Sequence, residues 1–113
     1  MPASPARLPK LEGSAPVFAA LGDETRLGLV LRLCDRGPLS IAKLAAGSRV
    51  TRQAIAKHLR VLERAGLVRG GRRGRETVWE LRKERLETAR GYLERISMEW
   101  DFALERLRAY VEE

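Results

Sequence analysis

A mainly α-helical fold with one small antiparallel β-hairpin is what this sequence of 113 residues predicts. Three observations carry the prediction. Residues 51–66, TRQAIAKHLRVLERAG, have the spacing of an amphipathic helix of about four turns. Two short strand-like segments, 67–68 and the alternating 76–81, flank a run of glycine and arginine. The last 30 or so residues keep an almost unbroken helical periodicity.

Taken in order, residues 1–14 (MPASPARLPKLEGS) hold three prolines and little periodic hydrophobicity, and read as a mobile arm. Ser14 followed by Ala15 and Pro16 looks like the start of a first helix over 15–21, with Pro16 in its first turn and Gly22 at its end. Asp23 caps a second helix over 24–35. Leu27, Leu29, Val30, Leu31, Leu33 and Cys34 cover most of its circumference, so it is expected to be central and buried, Cys34 with it as an inert thiol. Gly37-Pro38 stops it. Ser40 caps a short third helix, 41–46, with Ile41 and Leu44 inward.

Thr51 then caps the 51–66 helix, and Gly66 sits where a left-handed residue can end it. Ile55, Leu59 and Leu62 make its buried stripe. Arg52, Gln53, Ala56, Lys57 and Arg60 fall mostly on the opposite side. Two short helices joined by a tight glycine-containing turn, the second longer and basic, form a helix-turn-helix. Leu67 and Val68 start a strand. Thr77, Trp79 and Leu81 alternate with Val78 and Glu80 in a second strand. The 69–75 loop between them puts Arg72, Arg73 and Arg75 at the tip of a wing. Its plainer reading is a flexible surface loop.

Over 83–112 the apolar positions are Leu86, Ala89, Leu93, Ile96, Trp100, Leu104, Leu107 and Val111. Met98 and Phe102 are expected to widen that side. Gly91 is a weak point that permits a bend or a close approach. The stripe is too long for a small domain to cover, so it calls for a partner helix, most simply a second copy of the chain. The predicted organisation is an arm at 1–14, a winged helix-turn-helix domain at 15–82 and a dimerisation helix at 83–113.

The net charge of +7 is uneven. Residues 49–75 carry nine basic groups and one acidic group, whereas residues 76–113 carry seven and ten. A concentrated basic segment on a neutral-to-acidic body is the footprint of a polyanion-binding site. Thr51, Arg52, Gln53, Ala56, Lys57 and Arg60 are the candidate DNA-contacting residues of the helix. Arg and Lys reach phosphates or guanine edges, and Gln makes a bidentate contact to adenine. Arg72, Arg73 and Arg75 would lie on the backbone or in the minor groove. An ordinary solvated basic helix would share this composition. The candidate dimer contacts are Phe18, Leu86, Leu93, Ile96, Trp100, Leu104 and Leu107. A two-fold dimer spaces its recognition helices about 34 Å apart and implies a near-palindromic site in double-stranded DNA.

Other classes find little support. The single cysteine excludes an internal disulfide, and no apolar run reaches membrane-spanning length. The N-terminus lacks the apolar region of a secretory signal, so a cytoplasmic location is expected. Aromatic residues are 5% of the chain, too few for a base-stacking platform. There is no phosphate-cradling glycine loop and no nucleophile–histidine pair, so no enzyme is expected, and no cofactor. An adaptor that binds a different chain through the last helix is the alternative function.

Four segments resemble the ArsR/SmtB-type winged-helix transcriptional regulators: FAALGDETRLGLVLRL, GPLSIAKLA, VTRQAIAKHLRVLERAGLV and the closing VWEL. The resemblance covers residues 16–81 closely. It implies dimerisation through the first and last helices and repression of the regulator's own or an adjacent operon until an effector releases it. Some members bind metals through a cysteine pair before the recognition helix. The matching positions here are Ser40 and Ala42, which are not soft ligands. Others use carboxylates and histidines on the last helix, which here has no histidine; the only one is His58. No thiolate or histidine metal site is therefore expected. The resemblance is to the non-metal branch, with a small molecule bound near the last helix, a protein partner, or no ligand at all as the remaining routes of control.

Overall fold

A computed structural model describes residues 14–112. The expected 1–14 arm thus lies, except for Ser14, outside the described residues. The elements run α1 (Ser14–Leu21), α2 (Glu24–Arg36), β1 (Leu39–Ser40), α3 (Ile41–Ala45), α4 (Arg52–Arg64), β2 (Val68–Arg73), β3 (Glu76–Leu81) and α5 (Lys83–Glu112).

Local chemistry fixes the helix boundaries. The carboxylate of Asp23 accepts from the Arg26 N–H at 3.0 Å and caps α2. Ser40 Oγ accepts from the Lys43 N–H to cap α3. Thr51 Oγ1 accepts from the Ala54 N–H at 3.1 Å to cap α4. Gly66, at φ +80°, ends α4. Its N–H donates to the Glu63 carbonyl, and the Leu67 N–H reaches back to the Leu62 carbonyl. That pair of bonds is a Schellman stop, and it satisfies carbonyls the helix end would leave bare.

The core takes one face from each helix. Val17 and Ala20 of α1, Leu29, Val30 and Leu33 of α2, and Leu44 of α3 meet Ile55, Leu59 and Leu62 of α4. Leu67, Val68 and Ala89 close it. The buried face of α4 is thus the predicted one.

Four expectations need correction. First, Ser14 is the first residue of α1 rather than a residue ahead of it, and its buried hydroxyl has no partner among the described residues. Second, α2 is buried on one face only. Leu27 and Leu31 are 43% and 60% exposed, and Cys34 is exposed as well. Apolar character all round the helix did not mean burial all round, because α1, α4 and the sheet reach it from one side. Third, the expected wing hairpin is present, but its loop is much shorter than 69–75. β2 extends to Arg73, so Arg72 pairs with Thr77 and Arg73 with Glu76. Only Gly74, at φ +62°, and Arg75 form the turn. β1 adds a third strand in the order β1-β3-β2, with Leu39 opposite Trp79 and Ser40 opposite Val78. Fourth, α5 is one continuous helix, so each residue advances about 100° around it. Met98 and Phe102 therefore lie on the side opposite Ile96, Trp100 and Leu104 and do not widen the main stripe.

Candidate nucleic-acid interface

The candidate surface is built on α4 and the β2–β3 wing. Because Ile55, Leu59 and Leu62 are inward, the 3.6-residue period turns Arg52, Gln53, Lys57 and Arg60 outward, and all four are exposed. Ala56, half-buried between them, leaves the middle of the face low in bulk. Thr51 is exposed at the start of the helix. Its oxygen is taken by the Ala54 N–H, which leaves its O–H as the group able to donate.

The wing carries its cations differently from one another. Arg69 is committed within the sheet, where it bonds Glu80 on the neighbouring strand. Arg72, Arg73 and Arg75 are exposed. Among the described residues they form no ion pair, and neither do Arg52, Lys57 and Arg60. Arg72 and Arg73, unpaired guanidinium groups on a paired ladder, hold a more defined spacing than a loose loop would give. The arginine fork can then meet phosphate oxygens two at a time.

Behind this face, α4 is anchored by a polar contact that composition does not reveal. The Arg26 guanidinium donates through Nε to the Ala20 carbonyl at 2.7 Å and through one terminal nitrogen to His58 Nδ1 at 3.3 Å. Arginine only donates, so Nδ1 accepts and the ring proton sits on Nε2. Asp23 Oδ2 lies 3.9 Å from the same nitrogen. The Arg26 backbone N–H, above all, holds the Asp23 carboxyl below its ordinary value, opposed by burial and helped by the Arg26 charge. His58 thus ties α4 to the end of α1 and the start of α2. Its proximity to Asp23 and Arg26 is tertiary, 32 residues apart in the chain for His58 and Arg26, and had no signal in the sequence.

The expected dimer contacts divide. Phe18 and Leu86 are half-buried against the chain's own core. Leu93, Ile96, Trp100, Leu104 and Leu107 stand 48–65% exposed along α5. The helix's carboxylates are mostly in exposed ion pairs, among them Arg90–Glu94 and Arg95–Glu99, both at 3.1 Å. Among the described residues, no three His, Cys, Asp or Glu side chains gather where they could hold a metal ion. Ser40, at the position matched to a family cysteine, is occupied as the α3 cap. No described helix is long and apolar enough to cross a membrane.

A helix-turn-helix whose second helix turns a basic face outward beside a β-wing defines a winged helix-turn-helix protein. Known proteins narrow this further. A family model described as a helix-turn-helix domain matches residues 21–70. An uncharacterized HTH-type transcriptional regulator of Bacillus subtilis (strain 168) is 40% identical over 85 residues, 69% of this chain and 92% of the relative. An ArsR-like transcriptional regulator from Rhodococcus sp. RHA1 has a similar structure, with TM-score 0.72, 41% identity, and coverage of 86% of this chain and 91% of that one. The arsenical resistance operon repressor of Escherichia coli (strain K12) is 36% identical over 59 residues, 52% of this chain and 50% of the repressor. The chain belongs to the ArsR family of winged helix-turn-helix transcriptional regulators, a DNA-binding family and not one of enzymes.

Proposed function

We propose that this regulator is a cytoplasmic homodimeric repressor of its own or an adjacent operon, bound to a near-palindromic duplex site. The observation that carries the reading is the outward face of α4. Arg52, Gln53, Lys57 and Arg60 are exposed there, the three cations without ion-pair partners among the described residues, on a helix whose other side is locked into the core. In this reading Gln53 and Arg52 meet base edges, and Thr51, Ala56, Lys57 and Arg60 complete the groove face. Arg72, Arg73 and Arg75 hold the backbone. Repression is supported by the likeness to a repressor over half of the chain. Control without a thiolate or histidine metal site is supported by the residues that replace those ligands, Ser40 and Ala42.

Fluorescence anisotropy tests it, with the protein titrated against its own upstream DNA and a scrambled duplex at several salt concentrations. Tight binding confined to the upstream DNA, at two chains per site, is the expected result. Gln53→Ala should lower affinity for that DNA and leave the scrambled duplex alone. Arg73→Ala should weaken both alike and reduce the salt slope by about one. Equal losses on both duplexes for Gln53→Ala would remove the base-reading role.

A further inference from the structure

A groove of about 330 Å³ runs between α1 and α4. Pro16 and Ala19 form one wall, and Val61 and Ala65 the other. Two arginines, Arg26 and Arg64, line it, and among the described residues no acidic one does. Arg26 is half-buried and already held in place by the Ala20 carbonyl and His58. Arg64 is exposed and makes no ion pair among the described residues. Small aliphatic walls with two permanent cations suit one kind of occupant.

We infer that this groove binds a small organic anion with an aliphatic body, such as a medium-chain carboxylate, as an effector. The volume is at the lower end for ligand sites and suits a small molecule. The carboxylate would take the arginine forks, and the chain would cover the Ala19 and Val61 walls. Arg64 lies one turn beyond Arg60 and two beyond Lys57, so it continues the row proposed to meet DNA. An anion on Arg64 competes with a phosphate for the same fork and weakens DNA binding. This regulatory step rests on the reading of α4 as the DNA-contacting helix; the groove itself does not.

Octanoate serves as the probe, with acetate and 1-octanol as controls for the chain and the charge. Each is titrated into the 15N-labelled full chain without DNA, by calorimetry and by amide resonances. Octanoate should saturate at one per chain and shift Ala19, Val61 and Ala65, with both controls at least about tenfold weaker. Arg64→Gln should weaken octanoate about fivefold, as loss of an exposed charge partner does. Ala19→Phe, at an exposed position, fills the groove and should abolish binding. Equal affinity for octanol and octanoate, no change in Arg64→Gln, or shifts centred on the α5 stripe would each overturn the site. Octanoate binding by a protein that binds no DNA would uphold the groove and remove the repressor reading. DNA binding with no octanoate binding would do the reverse.

Discussion

Asp23 shows how much one side chain does here. Its carboxylate caps α2 and faces the Arg26 and His58 pair that anchors α4. Because the Arg26 backbone N–H favours the charged form, the carboxyl is held below its ordinary value of 3.8 in the folded chain. The unfolded chain then binds more protons than the folded one between the two values, so stability rises with pH across that window. The contribution is complete above the unfolded value and is lost as pH falls through the folded one. Asp23→Asn keeps an oxygen for the Arg26 N–H but does not titrate. Urea midpoints measured near neutrality and in acid should fall less steeply with acidification in Asp23→Asn than in the parent. Parallel curves would remove the assignment. Thr51 makes a companion case without charge. Thr51→Ala should cost about 1 kcal/mol, because the Ala54 N–H loses its acceptor at an exposed helix start. Thermal unfolding would read it.

Helices and wing differ in how far a local pattern decides them. The caps at Asp23, Ser40 and Thr51, the stop at Gly66 and the full span of α5 were legible, because each depends on residues within one or two turns. So was the split of α4 between Ile55, Leu59 and Leu62 inward and the basic residues outward. The β1 strand was not legible, since a two-residue strand exists only because β3 pairs with it. Nor was the one-sided burial of α2, which depends on where α1, α4 and the sheet sit. The run Gly70–Gly71–Arg72–Arg73 favours a loop by propensity, and the cross-strand ladder overrides it. Within the site, the outward α4 residues were legible, whereas Arg26, Arg64 and the pairing of Arg69 with Glu80 depend on tertiary neighbours. Gly91 gives this scale its prediction. A Cβ built there meets nothing within 4 Å, and the residue lies on the side of α5 away from Trp100 and Leu104. Gly91→Ala should therefore stabilise α5 by about 1 kcal/mol without changing the association state. A variant that no longer self-associates would mean that another chain approaches closely at Gly91.

For the molecule as a whole, the governing fact is that α5 outruns its own domain. Only Ala89 on it is buried, and Leu86 packs half-buried beside it, while the five residues from Leu93 to Leu107 on the same side stand open. At roughly 25 cal/mol per Å² of apolar surface, covering such a row on two chains is a large driving force. The exposed ion pairs around it add only a few tenths of a kcal/mol each. Association should therefore depend on the stripe and hardly on salt. A two-fold pairing also explains why a recognition helix should act twice, once per half-site. Leu104→Glu puts a charge in the middle of the stripe at a position that is solvent-exposed in the single chain, so the winged domain should keep its fold. Sedimentation should then show the parent as a dimer and Leu104→Glu as a monomer with an unchanged helical spectrum. Upstream-DNA affinity should fall steeply in the variant, because one recognition face must bind without the second. Met98→Glu, on the opposite side of the same helix, should leave the dimer intact. If Met98→Glu dissociates the parent as fully as Leu104→Glu does, the pairing face is misassigned. If the parent itself sediments as a monomer, α5 is the docking helix of a different chain.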